Sequence, residues 1–217
     1  MTPVRILIAD DHEVVRRGIR ALLDGHARWS VCGEVGTGRE AVEQATRLVP
    51  DLVILDIAMP GLNGLDAARR IHEAVPQAQI LILTMYESDE LVRHVLAAGA
   101  RGYLLKSDAG RELVNAVQAL SERKPFFTAR VAEKLLDGYL HDAPDSPAED
   151  GPGTLTPRER EVVQLLAEGK TSKEVAAILK IAVKTAETHR ANVMHKLGAH
   201  SLSDVVRYAI RNRIIEP

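Results

Sequence analysis

Three aspartates, one threonine and one lysine in the first half of the chain stand where short apolar runs stop. Asp10 and Asp11 end the run at 4–9, and Asp56 the run at 52–55. Thr84 ends the run at 80–83, and Lys106 the run at 102–105. Gathered carboxylates repel one another unless a cation joins them, and oxygen-only ligands with room for water suit Mg²⁺. A carboxylate can also attack phosphorus and give an aspartyl phosphate. Phosphoryl transfer then needs positioning and charge neutralisation, which Mg²⁺, the Lys106 ammonium and the Thr84 hydroxyl would supply. Taken singly, each acid is as well explained as a helix N-cap, and Lys106 as a solvated charge. The set of five is what points to chemistry.

The elements that must position them follow from the apolar pattern. Runs at 4–9, 31–35, 52–55, 80–83 and 102–105 predict five short strands. Between them the spacing is helical. Val14, Val15, Gly18, Ile19, Leu22 and Leu23 fall at steps of three and four, as do Leu91, Val92, Val95 and Leu96. Strands alternating with helices over the first 122 residues predict an α/β unit with a parallel sheet covered on both faces. In an open parallel sheet the carboxyl ends of the strands form the functional edge. One pocket would therefore gather all five polar residues.

The placement of Asp10-Asp11, Asp56, Thr84 and Lys106 resembles the response-regulator receiver domain. So does the loop Met59-Pro60-Gly61-Leu62-Asn63-Gly64. The resemblance covers residues 4–122. It implies a flavodoxin-like, doubly wound sheet of five parallel strands and phosphorylation of Asp56 by a sensor histidine kinase. It also implies Mg²⁺ held by Asp10, Asp11 and Asp56, phosphate contacts from Thr84 and Lys106, and Tyr103 as the switch aromatic beside Thr84. Two residues depart from the common pattern. Ser107 follows the lysine where many receivers have proline, and Met85 follows the threonine where many have a small residue. The competing class is an enzyme. Phosphatases of the haloacid dehalogenase type use a strand-end aspartate with Mg²⁺, and carry a second aspartate two residues later as acid/base. Here that position is Ala58. A phosphate that stays on is a signal rather than a turnover intermediate, so the expectation is no enzyme. A receiver that only mediates protein contacts is a third reading, and the intact acidic set argues against it.

Beyond the receiver, Phe127, Val131, Leu135 and Tyr139 fall four apart and predict a helix near 128–140. Residues 141–153 are Pro, Gly, Asp and Ser with almost nothing apolar, and read as a linker. From Thr154 the pattern is helical only. Thr156 with Glu159 and Thr171 with Glu174 read as capping boxes, Pro157 as a first helical residue, and Ser201 with Asp204 as a similar start. Four helices in this stretch predict a small bundle. Residues 171–179 and 183–197 read as helix, turn, helix. Ala186, His189, Val193 and Leu197 share one face of the second helix. Lys184, Glu187, Thr188, Ala191 and His195 share the other, which could enter a major groove. Pattern alone leaves a protein-interaction bundle equally open.

The segments Leu155-Thr156-Pro157-Arg158-Glu159, Gly169 through Ala176, and Lys184-Thr185 through Gly198 resemble the LuxR-type helix-turn-helix over 154–212. Joined to a receiver, this resembles the NarL/FixJ class of response regulators. The resemblance implies double-stranded DNA as partner, contacted by Lys173, Lys184, Thr185, Glu187, Thr188, Ala191, Asn192 and His195. It implies a homodimer when phosphorylated, with RNA polymerase as a further partner. Ala182 replaces a common Ser, Ala186 a common Val, and Glu187 a common Lys.

The expected division is a receiver at 1–124, a linker helix and linker at 125–153, and a helix-turn-helix domain at 154–217. Net charge is −2, yet residues 151–217 hold 11 Lys+Arg against 7 Asp+Glu, a net +4, which suits a polyanion. With aromatics at 3%, the cores must be built from Leu, Ile, Val and Ala. One cysteine, Cys32, rules out an internal disulfide and suits a reducing compartment. No apolar run nears the ~20 residues of a membrane helix, and the first run is too short for a signal peptide. The expected location is the cytoplasm, with no membrane partner.

Overall fold

The computed structural model describes residues 3–85, 89–128, 131 and 155–215. The chain forms two compact units. The helix expected near 128–140 lies, apart from residues 128 and 131, outside the described residues, as does the linker expected at 141–153.

In the N-terminal unit the strands are β1 (Val4–Ala9), β2 (Trp29–Val35), β3 (Leu52–Asp56), β4 (Gln79–Thr84), β5 (Gly102–Leu105) and β6 (Phe126–Phe127). The helices are α1 (Glu13–Asp24), α2 (Gly38–Leu48), α3 (Gly64–Ala74), α4 (Asp89–Ala97) and α5 (Ala109–Ser121). Every pairing is parallel, in the order β2-β1-β3-β4-β5-β6. The five expected strands are present, and the count is corrected to six. Phe126 pairs with Gly102 and Phe127 with Tyr103. A two-residue strand behind Pro125 has no alternation to reveal it, and Phe127 had a second reading as the first residue of a helical stripe.

The central runs Ile6–Ala9, Leu52–Leu55 and Ile80–Leu83 are apolar and buried because both faces of the sheet are covered there. Ile6, Ile8, Leu52, Ile54, Leu81, Leu83 and Leu104 pack against Ile19 and Leu23 of α1 and Leu113, Ala116, Val117 and Leu120 of α5. The helical stripe of α1 is narrower than expected, since Val14 is 83% exposed. Five residues at about 100° each put Val14 roughly 140° around the helix from Ile19. Of the stripe expected in α4, Leu91, Val92 and Val95 are buried and Leu96 is exposed.

The C-terminal unit has α6 (Pro157–Ala167), α7 (Ser172–Leu179), α8 (Val183–Lys196) and α9 (Leu202–Arg211). Val162, Val163, Leu165 and Leu166 of α6 share one apolar cluster with Val175, Ala176 and Leu179 of α7. Ala186 and Val193 of α8 and Val205 and Ala209 of α9 complete it. The capping boxes at Thr156/Glu159, Thr171/Glu174 and Ser201/Asp204 all form. Only α8 starts without one: Ala182 sits at its N-cap with extended φ −66°, ψ 146° and no side-chain bond. That backbone already suits a hydroxyl cap, so Ala182→Ser should stabilise the C-terminal unit by about 1 kcal/mol in urea denaturation. No helix among the described residues is long and apolar enough to cross a membrane.

Candidate functional site

At the carboxyl ends of β1, β3, β4 and β5 the five polar residues do converge on one region. Asp10 and Asp11 follow β1, and Asp56 and Thr84 are the last residues of β3 and β4. Lys106 lies one residue beyond β5 rather than in it, opening a short 3₁₀ turn. Register explains the grouping: Asp56 pairs with Leu83, and Thr84 with Leu105, the residue before Lys106. Asp10, Asp56 and Thr84 are buried. Tyr103 is wholly buried and pairs with Ile82, two residues before Thr84. Met85 is 65% exposed.

Lys106 Nζ lies 2.8 Å from Asp10 Oδ2 and 2.9 Å from Asp56 Oδ2. Each of these buried oxygens has the Lys106 ammonium as its ion-pair partner. Asp56 Oδ1 instead accepts the Ile57 N–H at 2.8 Å, and Asp10 Oδ1 the His12 N–H at 2.8 Å. Burial raises the Asp56 carboxyl, Lys106 pulls it down and Asp10 and Asp11 add to the rise, with a net result of about 6. Burial alone would lower the Lys106 ammonium, but Asp10 and Asp56 outweigh it and raise it. One ammonium thus faces three carboxylates, leaving excess negative charge. Asp10, Asp11, His12 and Asp56 offer ligand atoms that all lie within 4.8 Å of one another. Excess negative charge in a set dominated by carboxylate oxygens fits a hard divalent cation.

Two members of this site escaped the sequence reading. His12 directly follows the aspartate pair, and only its adjacency could have marked it. Gly64 opens α3, and its N–H donates to the Ile57 carbonyl at 2.8 Å. A Cβ there would stand 1.9 Å from the carbonyl oxygen of Asp56. The loop Met59 to Gly64 contained the residue, but a close backbone approach leaves no periodic trace.

On the second unit, Lys184, Thr185, Glu187, Thr188, Ala191, Asn192 and His195 of α8 are all exposed, as is Lys173 of α7. The opposite face holds buried Ala186 and Val193, with His189 and Leu197 partly buried. Glu187 Oε2 lies 3.5 Å from Lys184 Nζ, and the Thr188 hydroxyl donates to the Lys184 carbonyl at 2.9 Å. Sequence reasoning also missed a tie across the bundle: Lys196 Nζ of α8 donates to Glu159 Oε2 of α6 at 2.7 Å. Burial alone would raise the Glu159 carboxyl, yet Lys196 and the Thr156 donors hold it below its ordinary value. In α9, Val205 and Ala209 fill the core while Val206 and Ile210 remain partly exposed.

Comparison with known proteins agrees with both halves. The response regulator receiver domain model matches residues 6–118, and the model for bacterial regulatory proteins of the luxR family matches 153–209. The chain is 36% identical over 212 residues to the transcriptional regulatory protein LiaR of Bacillus subtilis (strain 168), covering 98% of this chain and 99% of that one. A solved Salmonella typhimurium RcsB response regulator shares 29% identity at a TM-score of 0.59, over 96% of this chain and 98% of that one. A structure of two RcsB dimers bound to two parallel DNAs shares 28% at a TM-score of 0.59, over 95% and 98%. An aspartate-lined receiver sheet followed by a helix-turn-helix bundle, matched over nearly the whole chain, makes this protein a member of the response regulators with a luxR-family DNA-binding domain, a two-component transcription regulator.

Proposed function

We propose that Asp56 accepts a phosphoryl group from a sensor histidine kinase, and that the phosphorylated chain dimerises and binds DNA through α8. The observation that carries this reading is the Asp56 carboxylate. One of its oxygens is fixed by the Ile57 N–H. The other is buried and ion-paired with Lys106 at 2.9 Å. That second oxygen is the nucleophile: it forms the new bond to phosphorus as the bond to the donor's leaving group breaks. Lys106 takes up charge on the phosphoryl oxygens, and Thr84 hydrogen-bonds one of them. Asp10, Asp11 and Asp56 would hold Mg²⁺, which when bound neutralises charge on the transferred group. Ala58 leaves the phosphoaspartate without the neighbouring acid/base of a phosphatase, so the chain acts as a switch rather than a turnover enzyme. Movement of Thr84 toward the phosphate would let Tyr103 follow and alter the surface beside β4 and β5.

In the DNA-binding half, Lys173 and Lys184 hold the phosphate backbone. Thr185, Glu187, Thr188, Ala191, Asn192 and His195 face the groove. Val206 and Ile210 of α9 are the candidate pairing surface. The receiver runs past the expected boundary at 124 to include β6, and the DNA-binding domain falls at 154–217, in a cytoplasmic protein that acts on RNA polymerase. A single reading helix discriminates poorly, because each mismatch is worth only about 1–3 kcal/mol. Two helices in one dimer square that discrimination and require half-sites about one helical turn apart. The RcsB dimers on DNA lend support. Light scattering with and without acetyl phosphate, alongside footprinting, tests the scheme. The expected result is a phosphate-dependent dimer protecting two half-sites; a phosphorylated monomer on a single half-site refutes it.

Glu187 supplies a sharper test of the reading face. A carboxylate accepts from cytosine N4 and a lysine does not. Glu187→Lys should therefore change the preferred base at one position of each half-site by about 1–3 kcal/mol in a randomised-site selection. A uniform change across all sequences would assign Glu187 no part in reading.

A further inference from the structure

The turn that leads into α8 does little to hold that helix. Lys180, Ile181 and Ala182 join it to α7. Lys180 stands in the left-handed region at φ 53°, ψ 45°, where glycine is favoured, and Ala182 offers no side-chain cap. The restraint comes from α6 instead. Arg158 spans two partners with separate nitrogens: Nη2 donates to the Leu179 carbonyl at 3.0 Å, and Nη1 to Glu161 Oε2 at 2.8 Å. Leu179 ends α7, where helix carbonyls lack partners within the helix, and Glu161 is wholly buried. The neighbouring residue, Glu159, takes the far end of α8. Its Oε2 accepts from Nζ of Lys196, the last residue of α8, at 2.7 Å. The same oxygen accepts the Thr156 N–H at 2.9 Å, so the acid that holds Lys196 is itself fixed at the start of α6.

We propose that the adjacent residues Arg158 and Glu159 are positioning residues for DNA reading: together they fix the two ends of α8 and set the tilt at which Glu187, Thr188 and Ala191 meet base edges. The proposal rests on the reading that α8 enters the major groove. Ala186 and Val193 are the fully buried residues of α8. Apolar packing is non-directional, so a helix seated on two small side chains can rock about them. Charge-assisted hydrogen bonds are short and directional, and one at each end removes that freedom. Base readout needs its side chains held to within about 0.5 Å, whereas attraction to phosphates falls off slowly with distance. Loosening either end should therefore cost sequence discrimination and spare general affinity for DNA. A guanidinium fork serves two acceptors at once, which an ammonium on a flexible stem does not. Arg158→Lys thus keeps the charge and gives up one of the two contacts.

The test uses the full-length protein and two duplexes, one selected from a randomised library by the unsubstituted chain and one of unrelated sequence. Arg158→Lys and Lys196→Met should each lower affinity for the selected duplex about tenfold, the worth of one well-placed base contact. Affinity for the unrelated duplex should stay within about twofold, with its salt slope unchanged. Lys196→Arg keeps the pairing with Glu159 and should restore discrimination. Circular dichroism melts confirm that each variant is folded at the assay temperature. Should Arg158→Lys unfold, the comparison of Lys196→Met with Lys196→Arg decides alone. Equal losses on the two duplexes overturn the proposal, and a salt slope reduced by about 0.9 with them would make Lys196 a phosphate contact. Unchanged preference in the variants, or failure of Lys196→Arg to restore it, overturns the positioning role and leaves α8 as the reading helix. An unsubstituted chain that prefers no duplex over another overturns the reading role of α8, and the positioning role with it.

Discussion

Asp56→Asn takes up no phosphate from acetyl phosphate and Mg²⁺, whereas the unsubstituted chain gains a single phosphate by mass spectrometry. An amide has the shape of the carboxylate without its nucleophilic oxygen, so the substitution removes the reaction together with one proposed Mg²⁺ ligand and one partner of Lys106. Lys106 keeps its ion pair with Asp10, 2.8 Å away, and the buried ammonium is not left alone. Asp10 and Asp11 serve as internal controls, because both carboxylates survive in the variant beside the same lysine. Undiminished labelling would move the acceptor to one of them. Far-ultraviolet circular dichroism matching that of the parent would show that lost labelling is chemical rather than a failure to fold.

Gly64→Ala should damage the receiver more than its single added methyl suggests. The new Cβ would lie 1.9 Å from the Asp56 carbonyl oxygen, 2.8 Å from its carbonyl carbon and 2.9 Å from Ile57 Cα. All three are backbone atoms, which cannot rotate aside as a side chain can. Either β3 retreats at the residue that accepts phosphate, or α3 lifts at its first turn. Overpacking of this kind typically costs 1–3 kcal/mol, and backbone at both sides puts this case at about 3 kcal/mol or above. Phosphate uptake should fall with it, because the carbonyl that moves belongs to the nucleophile. Gly18→Ala is the matching control: it lies within α1 with nothing inside 4 Å of its Cβ. That variant should gain about 0.5–1 kcal/mol. Urea denaturation of the two variants should therefore show shifts of opposite sign.

Residues that punctuate an apolar run were the legible ones. Asp56 and Thr84 stand out because the apolar runs 52–55 and 80–83 lead straight into them, and a buried parallel strand tolerates polarity only at its ends. Capping boxes were legible for a similar reason, since Thr156 and Glu159 satisfy each other's backbone groups at a fixed spacing of three. What stayed hidden depends on three dimensions. The width of the α1 stripe was overread at Val14, which lies roughly 140° around the helix from buried Ile19. Glu159 looked like a cap alone, yet it also binds Lys196, 37 residues away, a pairing no local window contains. His12 and Gly64 matter through approach distances, and sequence spacing carries none.

The sixth strand changes how the chain can be cut. Phe126 and Phe127 lie alongside Gly102 and Tyr103, and the Phe126 N–H donates to the Arg101 carbonyl at 3.0 Å. A receiver fragment stopped at residue 124 would strip this cover and bare the outer side of β5. Unpaired backbone beside apolar side chains is a template for edge-to-edge association between molecules. Such a fragment would self-associate through β5 whether or not it carried phosphate, and its oligomers would imitate a signalling dimer. A fragment ending beyond residue 128 keeps the cover in place, so only its association reports on the switch.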